Sequence, residues 1–291
     1  MLIPDRLRTM LEDGLIQQIL RPLKSGKEAE VFMVVADNEV CAAKVYKEAH
    51  RRNFRQRGDY TEGRRTGDSR QDRAMGRNSR FGKAQQEVAW QSAEADTMRR
   101  LNEAGVRIPR LRNSAEGVLL MDLVTGPDGE PAPQLASRSF SRDDALRWHG
   151  MLVGQISRML CAGVVHGDLS EYNILHATNG PVIIDFPQAT DAARNSHAKR
   201  LLLRDVANLA RFFSRFAPEL RRAQFGEEMW LLYEQTALTP ETPLSGRFAA
   251  ARGVVDAQII LREIASAKAE AAKRAEIQAL RAAKKIGHQR T

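Results

Sequence analysis

The sequence predicts an α+β chain in two lobes, the first rich in strands and the second in helices. Three observations carry this reading. Short apolar runs bounded by turn residues crowd the first 125 residues, while helical periodicity dominates after residue 140. Between them, "GPDGEPAPQLASR" at 126–138 is rich in proline and glycine, the composition of a connection. The expected divisions are therefore 1–125, 126–255 and a basic helical tail at 256–291.

In order along the chain, residues 5–12 read as a short helix. "LIQQILRPLKSG" and "AEVFMVVA" read as two strands joined through residues 25–28. Asp37 and Asn38 form a turn signal, and "EVCAAKVYK" is a third strand. Helical spacing returns at 84–104 through Val88, Ala95, Met98 and Leu101, and Gly105 stops it. "VRIPRL" leads out, and "GVLLMDLV" is a buried strand. Ser141 followed by Asp144 predicts a capped helix that runs through Cys161 and stops at Gly163. Residues 198–216 form an amphipathic helix with Leu202, Val206, Leu209, Phe213 and Phe216 near one face, and the remainder reads as helical.

Charge is uneven. The 291 residues carry a net +9, but 51–83 alone hold ten Arg and one Lys against four acids. Residues 256–291 hold eight basic residues against four acids, so the rest of the chain is close to neutral. The insertion 51–83 reads as a mobile loop. Its arginine density, and the basic tail, suit contact with RNA or a ribosome as well as a solvated surface. No apolar run approaches the roughly 20 residues of a membrane span. Cys41 and Cys161 stand far apart in apolar contexts and read as free thiols. Together these features favour a reducing cytoplasm.

The chemistry concentrates in "HGDLSEYNIL", with "PVIIDF" shortly after it. Phosphoryl transfer needs a cation bridging phosphate oxygens, hard oxygen ligands for it, a positive charge on the nucleotide and a base beside the acceptor. His166, Asp168, Leu169 and Asn173 keep the spacing of the H-R-D-L-x-x-x-N loop, Asp185-Phe186-Pro187 stands for D-F-G, and "CAAKVYK" offers Lys44. Glu94 is placed to pair with Lys44. Singly, these acids and Asn173 read as turn caps or a strand end; their joint spacing does not.

The ordered set "SGKEAEVF", "AAKVYK", "LLMDLV", "HGDLSEYNIL", "VIIDFPQA" and "LLLRDVANLARFF" resembles the RIO family of atypical protein kinases, with closest likeness to its bacterial members and type-one branch. The resemblance covers most of 15–216. It implies a bilobal protein-kinase-like fold, with an N-lobe antiparallel sheet plus one helix and a mostly helical C-lobe without the usual activation loop and peptide-docking region. It also implies ATP with Mg²⁺ (Mn²⁺ as a substitute), Ser/Thr phosphorylation of a protein or of the chain itself, ATPase turnover and, in archaea and eukaryotes, a part in small ribosomal subunit maturation.

By position, Asp168 resembles the catalytic base, and Asn173 and Asp185 resemble the metal ligands. In some members the residue matching Asp185 is transiently phosphorylated. Lys44 resembles the lysine on the α/β-phosphates, paired with Glu94. Ser25, Gly26, Lys27 and Glu28 match the short phosphate loop, and Val31 follows it at the nucleotide. Met121 would be the gatekeeper, with the backbones of Asp122 and Val124 at the adenine, and Ser170 a hydroxyl near the γ-phosphate.

Some features are decoys. "KSGKEAEVF" has neither G-x-G-x-x-G nor a Walker A pattern. Ala217-Pro218-Glu219 reads as a helix end at a proline, and Asp205 as a structural acid holding the catalytic-loop backbone. His149, His176 and His197 lack metal spacing, and Trp90, Trp148 and Trp230 read as core. Two rival functions remain at this point: a small-molecule kinase of aminoglycoside or choline type, which shares H-G-D-x-x-x-x-N, and an RNA- or ribosome-binding ATPase switch.

Overall fold

The computed structural model describes residues 3–47, 80–115 and 117–248. Most of the insertion, the side chains of Val88 and Trp90, and the tail at 256–291 lie outside what is described. The fold is mixed α+β, with a five-stranded antiparallel sheet in the N-terminal part and helices in the C-terminal part.

Helix α1 (Asp5–Glu12) precedes strands β1 (Gln18–Ser25), β2 (Ala29–Ala36) and β3 (Glu39–Tyr46). Asp37 and Asn38 turn β2 into β3 with φ of 52° and 62°, the left-handed pair that matches strand twist in a two-residue hairpin. Helix α2 (Arg80–Glu103) ends at Gly105, whose φ of 69° suits the residue that terminates a helix. Strands β4 (Leu111–Ala115) and β5 (Val118–Asp122) complete the sheet in the order β1-β2-β3-β5-β4. The polar stretch "LRNSA" of β4, which follows the lead-out "VRIPRL", carries no apolar alternation and so gives no strand signal of its own.

The sheet has two distinct faces, set by side-chain alternation. Phe32, Val34, Cys41, Ala43, Val45, Val118 and Leu120 bury one face against Leu7, Met10 and Ile16. The opposite face carries Lys44, Tyr46, Leu119 and Met121, the last three joining the larger core. That core continues into α3 (Arg142–Cys161), α4 (Ala198–Phe213) and α5 (Phe225–Glu234). Ser141 caps α3 by accepting from the Asp144 N–H at 3.1 Å, as its spacing predicts. Phe140 packs edge-on or tilted against Trp148, Phe212, Phe213 and Phe216, tying α3 to α4. Ala217-Pro218-Glu219 follows α4 as the start of a 3₁₀ turn, Pro218–Arg222.

Two features differ from expectation. Four short strands, β6 (Val164–Val165), β7 (Ile174–Ala177), β8 (Gly180–Ile183) and β9 (Thr190–Asp191), frame the quoted loop and were too short to show a period. The connection at 126–138 is also less free than its composition suggests. Ala136 N–H donates to the Glu171 carbonyl at 3.0 Å, His176 N–H to Pro133 at 2.8 Å, and the Gln134 amide to the Tyr172 carbonyl. The segment therefore braces the loop that carries Asp168 and Asn173. Among the described residues, no helix is long and apolar enough to cross a membrane.

Packing of α1 against the sheet generates a direct test. Leu7 is fully buried, so Leu7→Ala is expected to destabilise the protein by roughly 2–5 kcal/mol, read from urea unfolding. An unchanged midpoint would show that α1 is dispensable to the sheet.

Candidate active site

Strand β3 and helix α2 meet through an ion pair. Lys44 Nζ donates to Glu94 Oε1 at 2.8 Å and to Asp185 Oδ1 at 2.6 Å. Glu94 is 2% exposed and spends both oxygens: Oε1 also accepts from the Phe186 N–H at 3.2 Å, and Oε2 accepts from the Tyr46 hydroxyl. A buried carboxylate is tolerable when its lone pairs are met this fully. Burial alone would lower the Lys44 pKa, but the charges of Glu94 and Asp185 more than offset it and hold the ammonium protonated. Desolvation likewise pushes Asp185 upward, and Lys44 outweighs it by charge and hydrogen bond, so the carboxyl stays below its ordinary range. Asp185 has φ of 73°, a strained conformation for a residue with a side chain, and its carboxylate remains 42% exposed.

The loop at 166–173 is held from below by α4. Asp205 accepts from the Gly167 N–H at 2.8 Å and the Leu169 N–H at 3.0 Å. Arg204 donates to the Gly167 carbonyl, and Asn208 to the Leu169 carbonyl at 3.0 Å. Three side chains from one helical turn thus take up the donors and acceptors of two loop residues. Burial pushes the Asp205 carboxyl up to about 7, against the pull of its two N–H donors and Arg204. Gly167 has φ of 79°, a conformation that favours glycine at this bend.

His166 is fixed between two backbone groups. Its Nδ1 accepts from the Asp168 N–H at 3.2 Å, so the proton is on Nε2, which donates to the Ile184 carbonyl at 3.1 Å. The imidazole therefore links the Asp168 loop to the strand end before Asp185. Asp168 itself reaches solvent, yet its surroundings strip part of its hydration and raise its pKa. The charges of Asp185 and Glu28 act in the same direction, and Arg204 opposes them. Asn173 donates its amide N–H to the Asp168 carbonyl at 2.9 Å, which leaves the amide oxygen as its remaining acceptor.

The other sequence-predicted residues fall around this centre. Val31 pairs with Lys44 across the sheet, and Met121 pairs with Ala42, so both lie on the Lys44 face. Asp122 gives its N–H to the Arg110 carbonyl, and the Val124 carbonyl accepts from the Ala132 N–H. The Asp122 carboxylate is engaged by Arg110 at 3.1 Å and Arg112 at 2.5 Å. Ser170 contributes its carbonyl to the Asn173 N–H at 3.0 Å. Gly26 closes the β1–β2 turn, donating to the Ala29 carbonyl at 2.9 Å, and Lys27 and Glu28 are exposed on it.

Ser25 opens that turn with its side chain engaged on the sheet. Its hydroxyl donates to Glu30 Oε1 at 2.9 Å, and Lys47 Nζ reaches the same carboxylate at 3.2 Å. Lys47 also holds the Gly26 carbonyl at 2.7 Å. Tyr46, Lys47, Arg204 and Asn208 were missed from sequence because their partners lie far along the chain. Only the clustering of "LLLRDVANL" around Asp205 hinted at the α4 clamp.

Among the described residues, no group of three or more His, Cys, Asp or Glu side chains forms a metal cage. One carboxylate and one amide oxygen fit a Mg²⁺ whose other ligands are phosphate oxygens and water. Cys41 is buried and Cys161 half-buried, and both are free.

The RIO domain family model matches residues 30–225. A RIO-type serine/threonine-protein kinase Rio1 of Haloferax volcanii is 33% identical over 71% of this chain and 67% of its own length. The Rio1 kinase of Methanocaldococcus jannaschii is 35% identical over 66% of this chain and 62% of its own. The human serine/threonine-protein kinase RIO1 is 32% identical over 71% of this chain, but only 35% of its own length is covered. Neither the small-molecule-kinase reading nor the ribosome-switch reading gains support from these matches.

Acid stability tests the packing around the two buried imidazoles. Burial lowers His166 and His149 to about 4, below the ordinary 6.5, so the unfolded chain takes up protons first. Their contribution is complete above pH 6.5 and is lost as pH falls towards 4. Asp205, raised to about 7, acts in the opposite sense over that window, so the test is comparative: acidification from pH 6.5 to 4 should cost His149→Leu less in urea midpoint than wild type, and equal changes would contradict the assignment. The match over 30–225, with relatives at these identities, places the chain in the RIO domain family.

Proposed function

We propose that this chain is an ATP- and Mg²⁺-dependent phosphotransferase that phosphorylates Ser or Thr of a protein, itself included, or turns over ATP with water as acceptor. The observation that carries the proposal is Lys44 standing between Glu94 and Asp185, with Asp168 on a loop clamped in place beside them. Family membership and the names of the relatives support it. Bound Mg·ATP would bring the transferable phosphoryl group and a cation that neutralises charge developing on it.

In this reading, Lys44 binds the α/β-phosphates, and Glu94 keeps its ammonium charged and aimed. Asp185 and the amide oxygen of Asn173 hold the metal. Asp168 accepts the hydroxyl proton of the acceptor at its carboxylate, and its raised pKa suits a group that takes a proton and returns it. His166 stays neutral and keeps the Asp168 backbone in register with Asp185. The turn at 25–28 covers the phosphates, while Val31 and Met121 flank the adenine, with the backbones of Asp122 and Val124 at its edge. Ser170 stands near the γ-phosphate. The free thiols of Cys41 and Cys161 suit a reducing, cytoplasmic setting.

Asp168→Asn tests the roles directly. Removing a general base costs typically 10²–10⁴-fold in rate, so transfer from labelled ATP should fall by that order while ATP affinity changes little. Transfer at the wild-type rate would remove Asp168 from the reaction. Loss of ATP binding would make it a structural residue instead.

A further inference from the structure

The β1–β2 pair contains an irregularity that decides which side chain meets the phosphates. Pro22 pairs with Phe32, but the next pair is Lys24 with Val31, so Leu23 is the extra residue of a bulge. A one-residue shift sends every following side chain to the opposite face. Lys24 accordingly shares a face with Val31, and Val31 in turn pairs with Lys44. Ser25, one residue on, pairs with Glu30, whose own partner Val45 is buried against α1. Its hydroxyl bond to Glu30 confirms that direction. Lys24, Val31 and Lys44 form one row across three strands, on the face that carries the candidate site.

We infer that Lys24 is a second phosphate-binding cation, working beside Lys44 on the polyphosphate of the nucleotide. Strands lie about 4.8 Å apart, so the two lysine backbones are separated by about 10 Å, a gap that two converging side chains can close on one phosphate group. Lys24 is exposed, and among the described residues no hydrogen bond or ion pair holds its ammonium. Lys47, by contrast, is spent on Gly26 and Glu30. The preceding bulge thus replaces the hydroxyl of Ser25 with an ammonium on the phosphate side.

This inference rests on the phosphotransferase reading, and titration calorimetry with Mg²⁺ separates the two. Dissociation constants for ATP, ADP and adenosine are measured on wild type, Lys24→Met and Lys24→Arg. Lys24→Met should weaken ATP and ADP by roughly tenfold, the scale of a charge-assisted contact, and leave adenosine unchanged. Lys24→Arg should restore most of the loss. Unchanged ATP affinity in Lys24→Met, or an equal loss for adenosine, overturns the inference while the phosphotransferase reading stands. Wild type that binds no ATP overturns both.

Discussion

Glu94 sits almost wholly out of water, and an isolated carboxylate there would cost several kcal/mol. It is kept because Lys44, Tyr46 and the Phe186 N–H satisfy it from three directions. Those partners come from β3 and from the segment after Asp185, so one carboxylate ties the sheet, helix α2 and the loop end together. Lys44 then passes the constraint on to Asp185 through its second bond. Because the ammonium lies between two carboxylates, each charge stabilises the ionised form of its neighbour.

The remaining architecture serves to present groups to this cluster. Alternation divides the sheet into a face sealed by α1 and a face open to chemistry. Below, α4 clamps Gly167 and Leu169 with Arg204, Asp205 and Asn208, which fixes the backbone on both sides of Asp168. His166 spans the two halves of the loop region. The bracing of 171–176 by 133–136 adds a lateral support that the proline-rich composition of that connection concealed.

Much of this was legible in the sequence because it depends on local period or on fixed spacing. The strands β2 and β3, the capped helix α3 and the amphipathic α4 announce themselves through apolar repeats and capping residues. Lys44, Glu94 and Asp185 stood out by order and spacing, and the fold brings them into contact. Other parts depend on pairing across the chain. The polar β4 is a strand only because β5 offers it an edge, and Tyr46 matters only once α2 is docked. The two directions of Lys24 and Ser25 follow from a bulge that no residue type in "RPLKSG" reveals.

The central claim is that the Lys44–Glu94–Asp185 cluster is a nucleotide site held ready by its own charges. A crystal structure with Mg²⁺ and a non-hydrolysable ATP analogue tests it most directly. In such a complex Lys44 is expected to keep Glu94 but turn from Asp185 to the α/β-phosphates, while Asp185 and the Asn173 amide oxygen take the metal. A nucleotide bound elsewhere, with the Lys44–Asp185 pair intact, would contradict it.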